Sequence, residues 1–140
     1  MVNGKDVEIE TCALLDESSE VTLCDEKLCE RLNLASIDTT LNVETVNRNI
    51  KRDCKEVSFV VSSVDGENCV GVDCAFAVTD LPVSLEGLPE TGMFKVYPHF
   101  RGVGIHWIDC DSVQLLIGCD VPDDFRVLEK RTGRSDESIA

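Results

Sequence analysis

The feature that most constrains the fold of this chain is a pair of β-rich runs that meet at Asp65-Gly66. The runs belong to the segment EVSFVVSSVDGENCVGVDCAFAV, residues 56–78. Asp-Gly is a favoured dipeptide in the turns of β-hairpins, because glycine readily adopts the positive φ that these turns need. The segment therefore predicts a hairpin, and a chain built around it is expected to be mainly β.

Shorter patterns on either side of this hairpin predict further strands. Residues 7–16, VEIETCALLD, alternate and then become continuously apolar, as a strand that enters a core does. After a small polar turn, residues 20–23, EVTL, predict a second short strand. Residues 111–120, DSVQLLIGCD, predict a buried strand that ends at Gly118.

Two short helices are predicted from capping patterns. Asp25 is placed as the N-cap of a helix over about residues 25–33, in which Leu and Cys recur at helical spacing. Asp120 is placed as the N-cap of a second helix in the segment DVPDDFRVLEKRTG, residues 120–133. Residues 80–107 hold most of the prolines and several glycines, and we expect them to be mostly loop with short strands.

Length, charge and hydropathy restrict the class of protein. A chain of 140 residues with 43% hydrophobic content is expected to form a single globular domain over residues 1–140. Its formal net charge of −14 disfavours direct contact with nucleic acid, because such a surface repels phosphates. The N-terminus is charged where a signal peptide is apolar, and no apolar run approaches the roughly 20 residues that span a bilayer. We therefore expect no membrane partner and a cytoplasmic, intracellular location.

Eight cysteines are compatible with free thiols, a metal site or disulfides. Two pairs have C-x4-C spacing, Cys24/Cys29 and Cys69/Cys74, whereas zinc sites more often use shorter spacings together with nearby His or further Cys. A chain of this length does not need disulfides to fold, and nothing indicates secretion. Free, mostly buried thiols are the favoured interpretation, ahead of zinc and then disulfides.

An acidic turn and a later glycine-ended strand together carry the strongest functional signal. The first is an apolar strand that ends in Asp16 and continues as Glu-Ser-Ser; the second is the run Leu116-Ile117-Gly118. This pairing resembles the retroviral-type aspartic peptidases. The segments ALLDESSEVTL, YPHFRGV and LLIGCDVPDDFRV are most similar to the peptidase domain of Pao/BEL-type retrotransposon polyproteins.

The resemblance implies a fold and a set of site residues. The fold would be a retropepsin-like closed β-barrel, the acid protease fold, with two short helices. Asp16 would be the catalytic residue and Glu17, Ser18 and Ser19 would support the turn, while the later Leu-Ile-Gly strand packs behind it. Residues 42–53, which are polar with scattered aliphatics, would form the flap over the substrate.

The resemblance also implies a mechanism that needs two copies of the chain. Two Asp carboxylates about 3 Å apart cannot both ionise, so they share one proton. The ionised member activates water as a general base, and the protonated member hydrogen-bonds the scissile carbonyl. Because the chain offers one such turn, the second Asp16 would come from a two-fold-related subunit. The implied protein is an aspartic endopeptidase of a retrotransposon polyprotein, active as a homodimer on peptide substrates, with no metal and no cofactor. The resemblance also extends the expected intracellular location to virus-like particles.

Ser18 is the main departure from the family pattern, which has glycine at that position. Glycine is favoured there because the backbone approaches the carboxylates closely and leaves no space for a Cβ. An alternative interpretation is therefore a catalytically lapsed domain of the same fold, kept as a dimerisation or peptide-binding module. A second alternative is a small cysteine-rich domain that binds zinc.

Overall fold

Strands dominate the part of the chain that the structure, a computed structural model, describes: residues 1–4, 6–45, 48–81, 83, 98–100, 102 and 112–125. The elements are β1 (Val2–Asn3), β2 (Glu8–Ile9), β3 (Cys12–Leu15), β4 (Thr22–Asp25), α1 (Glu26–Arg31), β5 (Ser36–Thr45), β6 (Arg48–Ser62), β7 (Cys69–Val78), β8 (Val113–Ile117) and two 3₁₀ turns, Pro98–Phe100 and Pro122–Phe125. The mainly β class is confirmed, and the sheet curls into a half-barrel.

The eight strands form one mixed sheet with a crossover at the end of the chain. The strand order is β2-β1-β6-β7-β4-β8-β3, and β5 pairs with β6 beside this path. β3 and β4 are consecutive in sequence but do not neighbour each other, because β8 lies between them. β8 runs parallel to β3 and antiparallel to β4. β8, the last strand among the described residues, therefore lies between the two strands that the turn after β3 connects.

The predicted hairpin around Asp65-Gly66 is confirmed as β6 and β7. The strands pair antiparallel down to Ser62 and Cys69, and Gly66 has the positive φ of 73° that favours glycine. The Ser63 N–H donates to the Asn68 carbonyl at 2.9 Å and closes the turn. The turn residues therefore predict this part of the sheet correctly.

Residues 42–53, the predicted flap, lie in a long hairpin formed by β5 and β6. The two strands pair antiparallel from Ser36 opposite Val57 to Thr45 opposite Arg48. Residues 46–47, between the strands, lie outside the described residues. The polar composition of this segment accords with its exposure, since Asn42 and residues 50–53 are exposed.

The core lies between the sheet and helix α1. Leu28 and Leu32, four residues apart and hence on one helix face, are fully buried together with Leu115 and Ile117 of β8. Burial of each such side chain contributes about 1.5–3 kcal/mol. The helix and β8 therefore share one apolar cluster, which fixes the position of β8 in the sheet.

The first predicted helix is confirmed, with its cap. Asp25 is the N-cap of α1, and its side chain accepts a hydrogen bond from the Lys27 N–H at 2.8 Å. Leu32 is the C-cap, and Asn33 follows with a φ of 50°, a left-handed conformation that asparagine tolerates.

The prediction that Asp120 caps a helix is wrong, because its carboxylate binds a different part of the chain. Both carboxylate oxygens of Asp120 accept hydrogen bonds from Thr22, 98 residues earlier in the chain. The chain then forms the 3₁₀ turn Pro122–Phe125. Residues 126–133 of the predicted helix lie outside the described residues, as do most of residues 80–107.

The interpretation of the cysteines as free thiols is wrong for Cys12, which is disulfide-bonded. Among the residues that the structure describes, six cysteines are free, at positions 24, 29, 54, 69, 74 and 119. Of these, Cys24 and Cys29 are buried, whereas Cys69 and Cys119 are exposed. The expectation of mostly buried thiols therefore holds for the β4–α1 pair and fails for the two exposed positions.

Candidate active site

Asp16 lies at the end of β3, where the strand leaves the sheet. β3 pairs in parallel with β8, and Leu15 lies opposite Ile117. One residue further on, the Asp16 N–H donates to the Ile117 carbonyl at 2.9 Å. The main chain of Asp16 is therefore held by the sheet, while its side chain belongs to the turn that follows.

The turn residues bind the Asp16 carboxylate directly. Ser18 donates to Oδ1 of Asp16 twice, from its N–H at 3.0 Å and from its hydroxyl at 2.5 Å. The Ser18 hydroxyl, and then its N–H, hold the pKa of Asp16 below its ordinary value of 3.8, because both bonds favour the ionised form. Burial opposes this shift. The site thus keeps a single carboxylate charged in one copy of the chain.

Ser19 and Glu17 form hydrogen bonds that do not involve the Asp16 carboxylate. The Ser19 N–H donates to the Asp16 carbonyl at 3.1 Å, and the Ser19 hydroxyl donates to the Val21 carbonyl at 2.8 Å. The exposed Glu17 offers its carbonyl to the Cys119 thiol at 3.1 Å. Ser19 therefore stabilises the turn, whereas the Glu17 side chain is free to face solvent or a second chain.

Gly118 lies where β8 passes behind this turn, and the contact leaves no space for a side chain. A Cβ at Gly118 would lie 2.6 Å from the Val21 carbonyl oxygen and 2.9 Å from the Ser19 carbonyl oxygen. The next residue, Cys119, donates its N–H to the Ser19 carbonyl at 2.9 Å. The apolar residues before it, Leu116 and Ile117, are buried. All three residues of the Leu-Ile-Gly run thus lie in the strand and loop that pack against the turn.

A buried hydroxyl, which the sequence analysis missed, ties the two halves of the site together. Thr22 is fully buried, and its Oγ1 accepts a hydrogen bond from the Gly118 N–H at 3.2 Å. The same hydroxyl donates to Oδ1 of Asp120 at 2.8 Å, and the Thr22 N–H donates to Oδ2 at 3.0 Å. Side chains alternate along a strand, so Thr22 points to the same side as the buried Cys24. This alternation is the sequence pattern from which the burial of Thr22 could have been predicted.

The surface beside the turn is apolar. Leu15, next to Asp16, is 50% exposed. It lines a cavity of about 300 Å³ together with Ala13, Val61, Val70 and Ile117. An exposed leucine and an apolar cavity beside a charged carboxylate are compatible with contact with another chain or a peptide.

A larger cavity lies elsewhere, between the β5–β6 hairpin and the start of α1. It has a volume of about 850 Å³, and residues of both charge signs line it, including Glu26, Asp53, Arg52 and Lys55. Lys55 and Glu26 form an exposed ion pair at 3.8 Å, a type that contributes little to stability. No residue of the Asp16 turn lines this cavity, so its size alone does not make it the active site.

Metal ligation finds no support in the part of the chain that the structure describes. No group of three or more His, Cys, Asp or Glu side chains there is arranged to hold an ion. Across the same described residues, no helix has the length and apolar character that crossing a bilayer requires.

Comparisons with known proteins add no further constraint on this site. No protein-family model matches the chain, no curated protein matches it, and no solved structure matches it. Any inference about function therefore rests on the residues and the geometry of the Asp16 turn.

Proposed function

We propose that the protein is an aspartic endopeptidase of retropepsin-like fold, active as a homodimer in which Asp16 of each subunit supplies one carboxylate. The substrate class is a polypeptide, and the polyprotein of a retrotransposon is the substrate that the sequence resemblance favours. The observation that carries the proposal is the insertion of β8 between β3 and β4, which binds the Asp16 turn from behind through Ile117 and Cys119.

The geometry of the carboxylate suits a dyad formed across a two-fold axis. Both Ser18 donors converge on Oδ1 of Asp16, so Oδ2 is the oxygen that would face the shared proton and the attacking water. In one copy the pKa of Asp16 is low and the group is ionised. A second Asp16 about 3 Å away would raise one of the two pKa values, so that one carboxyl carries the proton.

The division of labour between the two carboxyls then follows. The ionised Asp16 removes a proton from water as the water attacks the scissile carbonyl, and the protonated Asp16 donates a hydrogen bond to the carbonyl oxygen. Ser18 and Ser19 keep the carboxylate in place through the turn. The hairpin that contains residues 42–53 is the proposed cover over the bound peptide.

Contact with a second copy is supported by the surface next to Asp16. Leu15 is half exposed, and the apolar cavity of about 300 Å³ that it lines adjoins the turn. A two-fold axis beside Asp16 would bury Leu15 against its counterpart and bring the two turns together. Self-association would thus complete the site.

A catalytically lapsed domain of the same fold is the second candidate, and Ser18 is the observation that favours it. Its hydroxyl occupies a position on Oδ1 of Asp16 and stabilises the charged form. If this bond persists in the dimer, it opposes the shared proton that the mechanism requires. Such a protein would still associate and bind peptides without cleaving them.

A cleavage assay with three matched variants tests these proposals. The parent, Asp16→Asn, Ser18→Gly and the control Asp73→Asn are incubated with an unfolded protein substrate from pH 4 to 7, and new N-termini are mapped by mass spectrometry. Asp73 is an exposed residue of β7, so its variant controls for the loss of one surface charge.

The outcomes of this assay distinguish the peptidase from the lapsed domain. Cleavage by the parent and by Asp73→Asn that is lost in Asp16→Asn supports the peptidase. Silence of the parent together with cleavage by Ser18→Gly supports the lapsed domain. Silence of all the variants, with each shown to be folded and dimeric, contradicts the peptidase proposal.

A further inference from the structure

The thiols of Cys24 and Cys29 are in direct contact inside the core. Cys24 lies in β4 and Cys29 lies in α1, and their sulfur atoms are 3.2 Å apart. Cys24 is fully buried, and Cys29 is 7% exposed. A disulfide needs the sulfurs at about 2.05 Å, so closure requires an approach of about 1 Å between elements that already touch.

One of the two thiols borders a route to solvent. Cys29 lines a cavity of about 270 Å³, together with Glu30, Asn33, Leu34 and Val57. A water molecule occupies about 30 Å³ in the liquid, so a molecule of a few heavy atoms fits in this space. Cys24 is fully buried, which makes Cys29 the thiol that a small reagent meets first.

We propose that Cys24 and Cys29 form a redox-active dithiol site that takes a low-molecular-weight hydroperoxide and closes to an intramolecular disulfide. This site is separate from the Asp16 turn and does not depend on the proposed peptidase activity.

The chemistry balances in two steps. The Cys29 thiolate attacks the peroxide, the O–O bond breaks, and Cys29 becomes a sulfenic acid as the other oxygen leaves and is protonated to water or an alcohol. The Cys24 sulfur then attacks the Cys29 sulfur and the S–O bond breaks. The oxygen of the sulfenic acid leaves as water, which takes up the Cys24 proton, as the disulfide forms. Overall, two thiols lose two electrons and two protons, and the peroxide gains them.

The order of the two cysteines follows from access, since Cys29 lines the cavity whereas Cys24 is fully buried. The hydrogen bond between the two thiols lowers the pKa of Cys29, although burial and the charges of Asp25 and Glu26 oppose this shift. The same bond, followed by burial, raises the pKa of Cys24. Cys29 is therefore the nucleophile toward peroxide, and Cys24 is the resolving thiol.

The test uses the folded full chain and hydrogen peroxide as the probe. The protein is titrated with peroxide at neutral pH, remaining thiols are alkylated, and the chain is digested without reduction for peptide mass spectrometry. The expected result is the loss of both alkylated Cys24 and alkylated Cys29, the appearance of one peptide linked between them, and recovery of both thiols with dithiothreitol. A sulfenic acid trap in Cys24→Ala is expected to label Cys29, because the resolving thiol is absent.

The exposed thiols of Cys69 and Cys119 provide the internal reference for reagent access. Full alkylation of Cys24 and Cys29 after both exposed thiols are oxidised would overturn the proposal. So would a sulfenic acid on Cys29 of the parent with no linked peptide. Since the parent protein alone yields both results, the test does not depend on whether the Cys24→Ala variant folds.

Discussion

Gly118→Ala is predicted to destabilise the protein through a contact with main-chain atoms. The added methyl group would lie 2.6 Å from the Val21 carbonyl oxygen, 2.7 Å from the Val21 carbonyl carbon and 2.9 Å from the Ser19 carbonyl oxygen. These atoms belong to the backbone and cannot rotate away, so β8 or the turn must shift. Overpacking of this kind costs about 1–3 kcal/mol.

Equilibrium urea denaturation, followed by circular dichroism, measures this loss of unfolding free energy. Thermal unfolding should show a parallel decrease of roughly 3–10 °C, at about 3 °C per kcal/mol for a chain of this size. Gly71→Ala is the matched control, because a Cβ at Gly71 meets nothing within 4 Å. Equal stability of the two variants would refute the close approach of β8 to the Asp16 turn.

Three further substitutions test the site and the helix beside it. Thr22→Val removes the acceptor of the buried Gly118 N–H and is expected to lower the unfolding free energy by about 1–3 kcal/mol in urea denaturation. Ser18→Gly keeps the main-chain N–H but removes the hydroxyl, so the pKa of Asp16 is expected to rise toward 3.8 in a carboxyl NMR titration. Asp25→Ala removes the N-cap of α1 and should cost about 1 kcal/mol of unfolding free energy, again measured in urea.

The two stability measurements each have a control within the chain. Thr40→Val removes an exposed hydroxyl and Asp38→Ala an exposed carboxylate, and both should leave the unfolding free energy nearly unchanged. A loss in Thr22→Val no larger than in Thr40→Val would contradict the buried network. An unchanged pKa of Asp16 in Ser18→Gly would contradict the Ser18 hydroxyl bond.

The lowered pKa of Asp16 also predicts how the stability of the folded state changes with pH. Because the folded pKa lies below the unfolded value of 3.8, the bonds from Ser18 stabilise the folded state above that pH. Their contribution is lost as pH falls through the lower, folded value. In Ser18→Gly, this part of the acid dependence should shrink.

Features with a local cause could be predicted from the sequence. The Asp65-Gly66 hairpin follows from the φ requirement of its turn, and the Asp25 cap follows from a carboxylate one residue before a helix. β8 ends at Gly118 as expected. In each case the residues that determine the structure are neighbours in the chain.

Features with a long-range cause could not be predicted. Asp120 follows the pattern of an N-cap, but its oxygens bind Thr22, and nothing near Asp120 in sequence indicates that partner. β1 was missed because two residues, Val2–Asn3, carry no period, and its strand exists through pairing with β6. The resemblance implied only that the Leu-Ile-Gly strand packs behind the turn. The place of β8 between β3 and β4 was not predicted, since periodicity does not specify strand order.

The central claim, a dyad shared by two subunits, is tested most directly by mixing subunits. The more active of the parent and Ser18→Gly is mixed with the same chain carrying Asp16→Asn, at fixed total concentration, and the rate of peptide cleavage is measured. If each site needs Asp16 from both subunits, the rate falls as the square of the active fraction. A rate that falls linearly with the active fraction would contradict the account. So would the absence of cleavage by both the parent and Ser18→Gly before mixing.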